Sequence, residues 1–119
     1  MKVLIVDDSR AMRLIIRRHV EAARLADLEI AEAGNGRDAL DLIRSEEPDL
    51  VLSDWHMPEM NGLELLHALR SEGRDVRFGF VTSHREHDIG DRAAEAGASF
   101  LIEKPFTADD FRAVLDRVV

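Results

Sequence analysis

Short apolar runs alternate along the chain with segments whose apolar positions recur at i, i+3, i+4 and i+7, a rhythm that predicts repeated β-α units. Val3 to Val6 reads as a buried strand, and Met12, Ile15, Ile16, His19, Val20 and Ala23 then share one helical face, with Ser9 as the N-cap. Leu28 to Ala33 predicts a second strand, Asn35-Gly36 a turn, and Arg37 to Ser45 a helix with Ala39, Leu40 and Ile43 inward, stopped by Pro48. Leu50 to Ser53 predicts a third strand. A loop with Pro58 and Asn61-Gly62 leads into a helix built on Leu63, Leu65, Leu66 and Leu69, which Gly73 ends. Phe78 to Thr82 reads as a fourth strand, weakened by Gly79. Glu86 to Ala96 predicts a poorly patterned helix ended by Gly97, with Asp88, Gly90 and Asp91 in its first half, and Ser99 to Ile102 a fifth strand. The last helix is the clearest: Thr107 and Asp110 form a variant capping box, and Phe111, Val114, Leu115 and Val118 recur at helical spacing.

Five strands alternating with five helices imply an α/β fold, and strands that read as apolar throughout imply a parallel sheet covered on both faces. Right-handed crossovers leave few topologies, among them the doubly wound order 2-1-3-4-5, which sets the first and third strands side by side. With no linker or low-complexity tract, residues 1–119 read as a single domain of a size that folds without staples.

Composition narrows the function classes. There is no cysteine, no apolar run near the roughly 20 residues of a membrane span, and no signal-peptide pattern at the amino terminus, so the expectation is a soluble, cytoplasmic protein without membrane insertion. Acidic residues outnumber basic ones 24 to 16, for a net charge of -8, which argues against direct nucleic-acid binding. Arg13, Arg17, Arg18 and Arg24 read as the solvated face of the first helix rather than a basic patch.

Candidate chemistry collects at strand ends. Asp7 and Asp8 follow KVLIV and Asp54 follows LVLS, so adjacent parallel strands deliver three carboxylates to one crevice. Three carboxylates that close together resist ionising together unless a cation neutralises them, which points to a hard divalent metal and a metal-dependent phosphate site. Thr82 and Lys104, after the fourth and fifth strands, add a hydroxyl donor and a fixed positive charge. Singly, each has an ordinary explanation: an aspartate helix cap, a turn, a buried strand hydroxyl, a surface lysine. Their joint placement does not. His56, His84 and His87 suit a carboxylate-rich site less well than an oxygen-bound cation does, and His19 and His67 read as partly exposed packing residues. Gly34, Asn35 and Gly36 read as a tight turn, and Trp55 and Met57 as a cover over the loop.

The segments VDDS, DWHMPEMNG, VTS and EKPF, in this order and spacing, resemble the receiver domain of two-component response regulators over essentially the whole chain. Receiver domains themselves illustrate the flavodoxin-like 2-1-3-4-5 order, so the order and the resemblance are one expectation. The resemblance implies that Asp54 accepts a phosphoryl group from a phosphohistidine on a histidine kinase or histidine phosphotransfer protein. It further implies that Asp8, Asp54 and the His56 carbonyl bind Mg²⁺, that Asp7 holds a metal-bound water, and that Lys104 and Thr82 contact the phosphoryl group. Such a protein is a signalling phospho-acceptor that promotes its own phosphorylation and dephosphorylation rather than an enzyme, with His56 and His84 flanking the group and influencing its lifetime. Movement of Thr82 would be coupled to inward rotation of an aromatic residue, assigned to Phe100, whose outward rotamer lacks a hydroxyl to solvate. A downstream target protein would then meet the face formed by the fourth helix, fifth strand and fifth helix. DWHMPEMNGLELL and VDDSRAMR look most like stand-alone chemotaxis-type regulators. The alternatives are a receiver belonging to a longer transcription factor or enzyme, and a pseudo-receiver that binds without phosphorylation. An aspartyl phosphatase would want a second acidic residue two after Asp7, where Ser9 stands.

Overall fold

The computed structural model describes residues 1–83 and 88–118, without the side chain of Val118. Five strands, β1 (Lys2–Val6), β2 (Glu29–Ala33), β3 (Leu50–Ser53), β4 (Arg77–Thr82) and β5 (Phe100–Glu103), form one parallel sheet in the order β2-β1-β3-β4-β5. The helices α1 (Arg10–Ala22), α2 (Gly36–Glu46), α3 (Gly62–Ser71), α4 (Ile89–Glu95) and α5 (Ala108–Val118) alternate with them. The expected doubly wound architecture is therefore present.

Alternation along the strands divides the core into two layers. Val3, Ile5, Leu50, Leu52, Val81 and Phe100 pack with Ile16 and Val20 of α1 and Phe111 and Leu115 of α5. Leu4, Val6, Val51, Phe78 and Phe80 pack instead with Ile43 of α2, Leu65, Leu66 and Leu69 of α3, and Ile89 and Ala93 of α4. Among the described residues no helix is long and apolar enough to cross a membrane.

Local chemistry sets the boundaries. Ser9 caps α1, its hydroxyl accepting from the Met12 amide at 3.2 Å. In α5 the Thr107 amide donates to Asp110 at 2.7 Å and the Asp110 amide to the Thr107 hydroxyl at 3.3 Å, a reciprocal box. Asn35 and Gly36 do not form a separate turn: Asn35 is the N-cap of α2, accepting from the Asp38 amide at 2.8 Å, and Gly36 is its first residue. Nor is every strand apolar. β2 lies at the sheet edge, where Glu29 and Glu32 are exposed, because an edge strand needs no second neighbour. Ile15 is 40% exposed, so the buried face of α1 is narrower than its periodicity suggests. The part of the expected fourth helix at 86–87 lies outside the described residues, as do His84 and His87.

Candidate carboxylate and cation site

The register pairs Val6 of β1 with Ser53 of β3, so the next residues, Asp7 and Asp54, emerge side by side at the carboxyl edge of the sheet. Their backbones continue the ladder. The Asp54 amide donates to the Val6 carbonyl at 2.8 Å, and the Asp7 amide to the Ala33 carbonyl at 3.1 Å. Asp7, Asp8 and Asp54 offer carboxylate oxygens that all lie within 4.8 Å of one another, a donor set of hard oxygens that fits a divalent cation.

Each carboxylate has a different environment. Asp7 is 1% exposed, accepts from the Ser9 amide at 2.9 Å, and faces the Lys104 ammonium at 3.3 Å. Burial raises its pKa above the ordinary aspartate value; the Ser9 amide and Lys104 oppose that rise, and the Asp54 charge adds to it. Asp54 is half-buried, accepting from the Trp55 amide at 2.7 Å on Oδ1 while Oδ2 lies 3.5 Å from Lys104. Asp8 is exposed. Lys104 therefore stands between two of the three carboxylates, and its own amide donates to the Thr82 carbonyl at 2.9 Å, tying β5 to the end of β4. Thr82 is buried at 1% exposure. The peptide bond between Lys104 and Pro105 is cis.

The loop after Asp54 closes tightly. The Gly62 amide donates to the Trp55 carbonyl at 2.8 Å and the Ser53 hydroxyl to the Asp54 carbonyl at 2.8 Å. A Cβ on Gly62 would overlap the Asp54 carbonyl oxygen, so glycine there lets the loop return against β3. Asn61 and Glu64 cap α3 reciprocally, at 2.8 and 3.0 Å, which fixes where the loop ends.

Residues 3–116 match the response regulator receiver domain. The chain belongs to this family. A chemotaxis protein CheY homolog of Campylobacter jejuni is 38% identical over 122 residues, covering 100% of this chain and 92% of that protein. Sporulation initiation phosphotransferase F of Bacillus subtilis is 34% identical over 111 residues, covering 93% of this chain and 87% of that protein. Among solved structures, the Vibrio cholerae chemotaxis protein CheY4 superposes with a TM-score of 0.86 at 28% identity, covering 99% of this chain and 98% of that one. As a receiver domain, the chain is a phosphorylation-controlled signalling switch.

Within this receiver domain the sequence expectations fare unevenly. Asp7, Asp8, Asp54 and Lys104 converge as expected, with Thr82 at the adjoining strand end, and His56 is exposed in the loop beyond Asp54. Phe100 does not stand where coupling to Thr82 requires. Alternation from Phe78 and Phe80 places Thr82 on the α3 and α4 face, whereas Phe100 belongs to the opposite layer against α1 and α5. Leu101 and Glu103 are the β5 residues on the Thr82 face, and Leu101 is the apolar one, so an inward rotation of Phe100 beneath Thr82 is excluded by the register. Trp55 is also more than a loop cover: it is 3% exposed and packs on Phe80 with ring centroids 4.6 Å apart, beneath the Arg92 guanidinium at 5.4 Å. Arg13, read as part of a solvated face, instead reaches the Asp7 carbonyl at 2.6 Å. Only the place of Arg13 in the first turn of a capped helix, six residues after Asp7, signals that contact in the sequence.

Proposed function

We propose that Asp54 accepts a phosphoryl group from a phosphohistidine on a histidine kinase or histidine phosphotransfer protein. The observation supporting this most directly is Lys104, held 3.3 Å from Asp7 and 3.5 Å from Asp54 at an edge where β1, β3, β4 and β5 all contribute a polar side chain. Oδ2 of Asp54 is the attacking oxygen, since the Trp55 amide occupies Oδ1. Its bond to phosphorus forms as the phosphorus–nitrogen bond breaks, and the imidazole leaves with that electron pair. Lys104 neutralises charge on a phosphoryl oxygen, and the Thr82 hydroxyl donates to another.

Asp8, Asp54 and the His56 carbonyl would hold Mg²⁺, with Asp7 engaging it through water. When bound, Mg²⁺ offsets the charge of the carboxylates and of the incoming phosphoryl oxygens. The domain later promotes hydrolysis of its own acyl phosphate, with water attacking in line. Phosphorylation adds about -1.5 to -2 charge, enough to draw the Thr82 hydroxyl and its loop inward and alter the face of α4, β5 and α5 that meets a target protein.

Residues 1–119 act as one receiver unit in the cytoplasm, and the output is of the chemotaxis type. The reading as a receiver of a longer regulator is favoured if the full gene product encodes a further domain. Intact mass after incubation with Mg²⁺ and acetyl phosphate tests the chemistry. One added phosphoryl group that requires both Mg²⁺ and Asp54 is expected; no adduct, with the parent matching Asp54→Asn, identifies a pseudo-receiver.

A further inference from the structure

Arg13 connects the carboxylate crevice to the edge of the sheet. Its side chain is 17% exposed and turns back over the connection between β1 and α1. Nη1 donates to the Asp7 carbonyl oxygen at 2.6 Å, and Nε donates to Glu32 of β2 at 3.0 Å. Glu32 is gripped a second time by Arg17, at 2.8 and 3.1 Å. Burial pushes the Glu32 carboxyl up, but the bonds from Arg17 and Arg13 outweigh it and hold the group below the usual range, so Arg13 is anchored on an ionised partner.

The Asp7 carbonyl belongs to the planar peptide that leads into Asp8. The ladder bond from the Asp7 amide to Ala33 fixes the residue on one side, and Arg13 fixes its carbonyl on the other. Asp8 itself is exposed, and among the described residues its carboxylate accepts no hydrogen bond. Its place beside Asp7 and Asp54 is thus set by the backbone that carries it, and a turn of the preceding peptide would swing it out of the cluster.

We propose that Arg13 is a positioning residue of the cation site: by holding the Asp7 carbonyl it orients the peptide that keeps the Asp8 carboxylate within reach of Asp7 and Asp54. The inference rests on the reading of this crevice as a Mg²⁺ site. Charge alone predicts the opposite sign, because a guanidinium near a divalent cation repels it and its removal tightens binding. Loss of an outer partner that orients a ligand instead weakens metal binding, by about 10- to 100-fold.

The test is Mg²⁺ titration of the full chain, read by the fluorescence of its single tryptophan, Trp55, and by calorimetry, on the parent, Arg13→Leu, Arg13→Lys, Glu32→Gln and Asp8→Asn. Arg13→Leu is expected to weaken Mg²⁺ binding about 10-fold while circular dichroism stays that of the parent. Arg13→Lys keeps the charge, loses the two-point fork, and recovers only part of the affinity. Equal or tighter binding by folded Arg13→Leu overturns the proposal. Should that variant not fold, Glu32→Gln decides: weaker binding supports the proposal and unchanged binding overturns it. A parent that gives no Mg²⁺ response and matches Asp8→Asn removes the cation site itself, and the proposal with it; a parent that binds beside an unaffected Arg13→Leu removes the proposal alone.

Discussion

Phe100 lies directly over Gly79, its register partner across β4 and β5, and its ring occupies the space that a side chain at 79 would need. A glycine that looks like a flaw in a strand is therefore the seat of an aromatic residue in the layer against α1 and α5. Gly79→Ala is expected to destabilise the fold by about 1–3 kcal/mol through overpacking. Adding Phe100→Leu should recover much of that loss, because the two substitutions share one volume. Urea unfolding of the parent, both single variants and the double variant measures the coupling; strictly additive effects would contradict the packing.

Burial raises the Asp7 pKa, so the folded protein binds that proton more tightly than the unfolded chain. With no cation present, the ionised carboxylate opposes folding at neutral pH, and stability should rise as pH falls through the folded pKa toward the ordinary value of 3.8. Asp7→Asn is accordingly expected to raise the Tm in chelator at pH 7, with its advantage shrinking toward about pH 4. Thermal melts across that window check the sign, and a destabilised Asp7→Asn at neutral pH would contradict it.

Gly62 and Gly73 offer a matched contrast. A Cβ at 62 would meet the Asp54 carbonyl, whereas Gly73, at φ +76°, has nothing near its missing side chain. Gly62→Ala should shift Asp54 and slow phosphorylation by about 100-fold. Gly73→Ala should cost about 1–2 kcal/mol of stability from its left-handed backbone and leave the rate alone. Phosphorylation time courses alongside melts separate the two effects.

Lys104 supplies a positive charge that competes with any cation for Asp7 and Asp54. Lys104→Met should therefore bind Mg²⁺ about 10-fold more tightly yet accept a phosphoryl group more slowly, since the charge that serves the transferring group is gone. Titration and kinetics moving in the same direction would contradict that division of labour.

Most of the architecture was legible because helix and strand periods differ and because Ser9 and Thr107 act as caps at the helix starts where the sequence places them, whereas the poorly patterned α4 has no side-chain cap. The carboxylate cluster was legible for a related reason, as parallel strands put their ends on one edge. What escaped was decided by side-chain direction. The periodicity of β5 does not say which of Phe100 and Leu101 shares a face with Thr82; pairing with β4 does. Arg13 and Arg17 looked solvated because helical spacing alone does not reveal Glu32 on the neighbouring edge strand. Trp55 looked like a lid because its contact with Phe80 crosses from a loop to another strand.

The central claim is that Asp54, among three neighbouring carboxylates, carries the phosphoryl group. The direct measurement is peptide mass spectrometry after phosphorylation with acetyl phosphate and Mg²⁺ and reduction with borohydride, which releases phosphate and leaves homoserine at the modified aspartate. Homoserine at 54 with Asp7 and Asp8 unchanged is the expected result. Homoserine at 7 or 8, or at none of the three, would contradict the account.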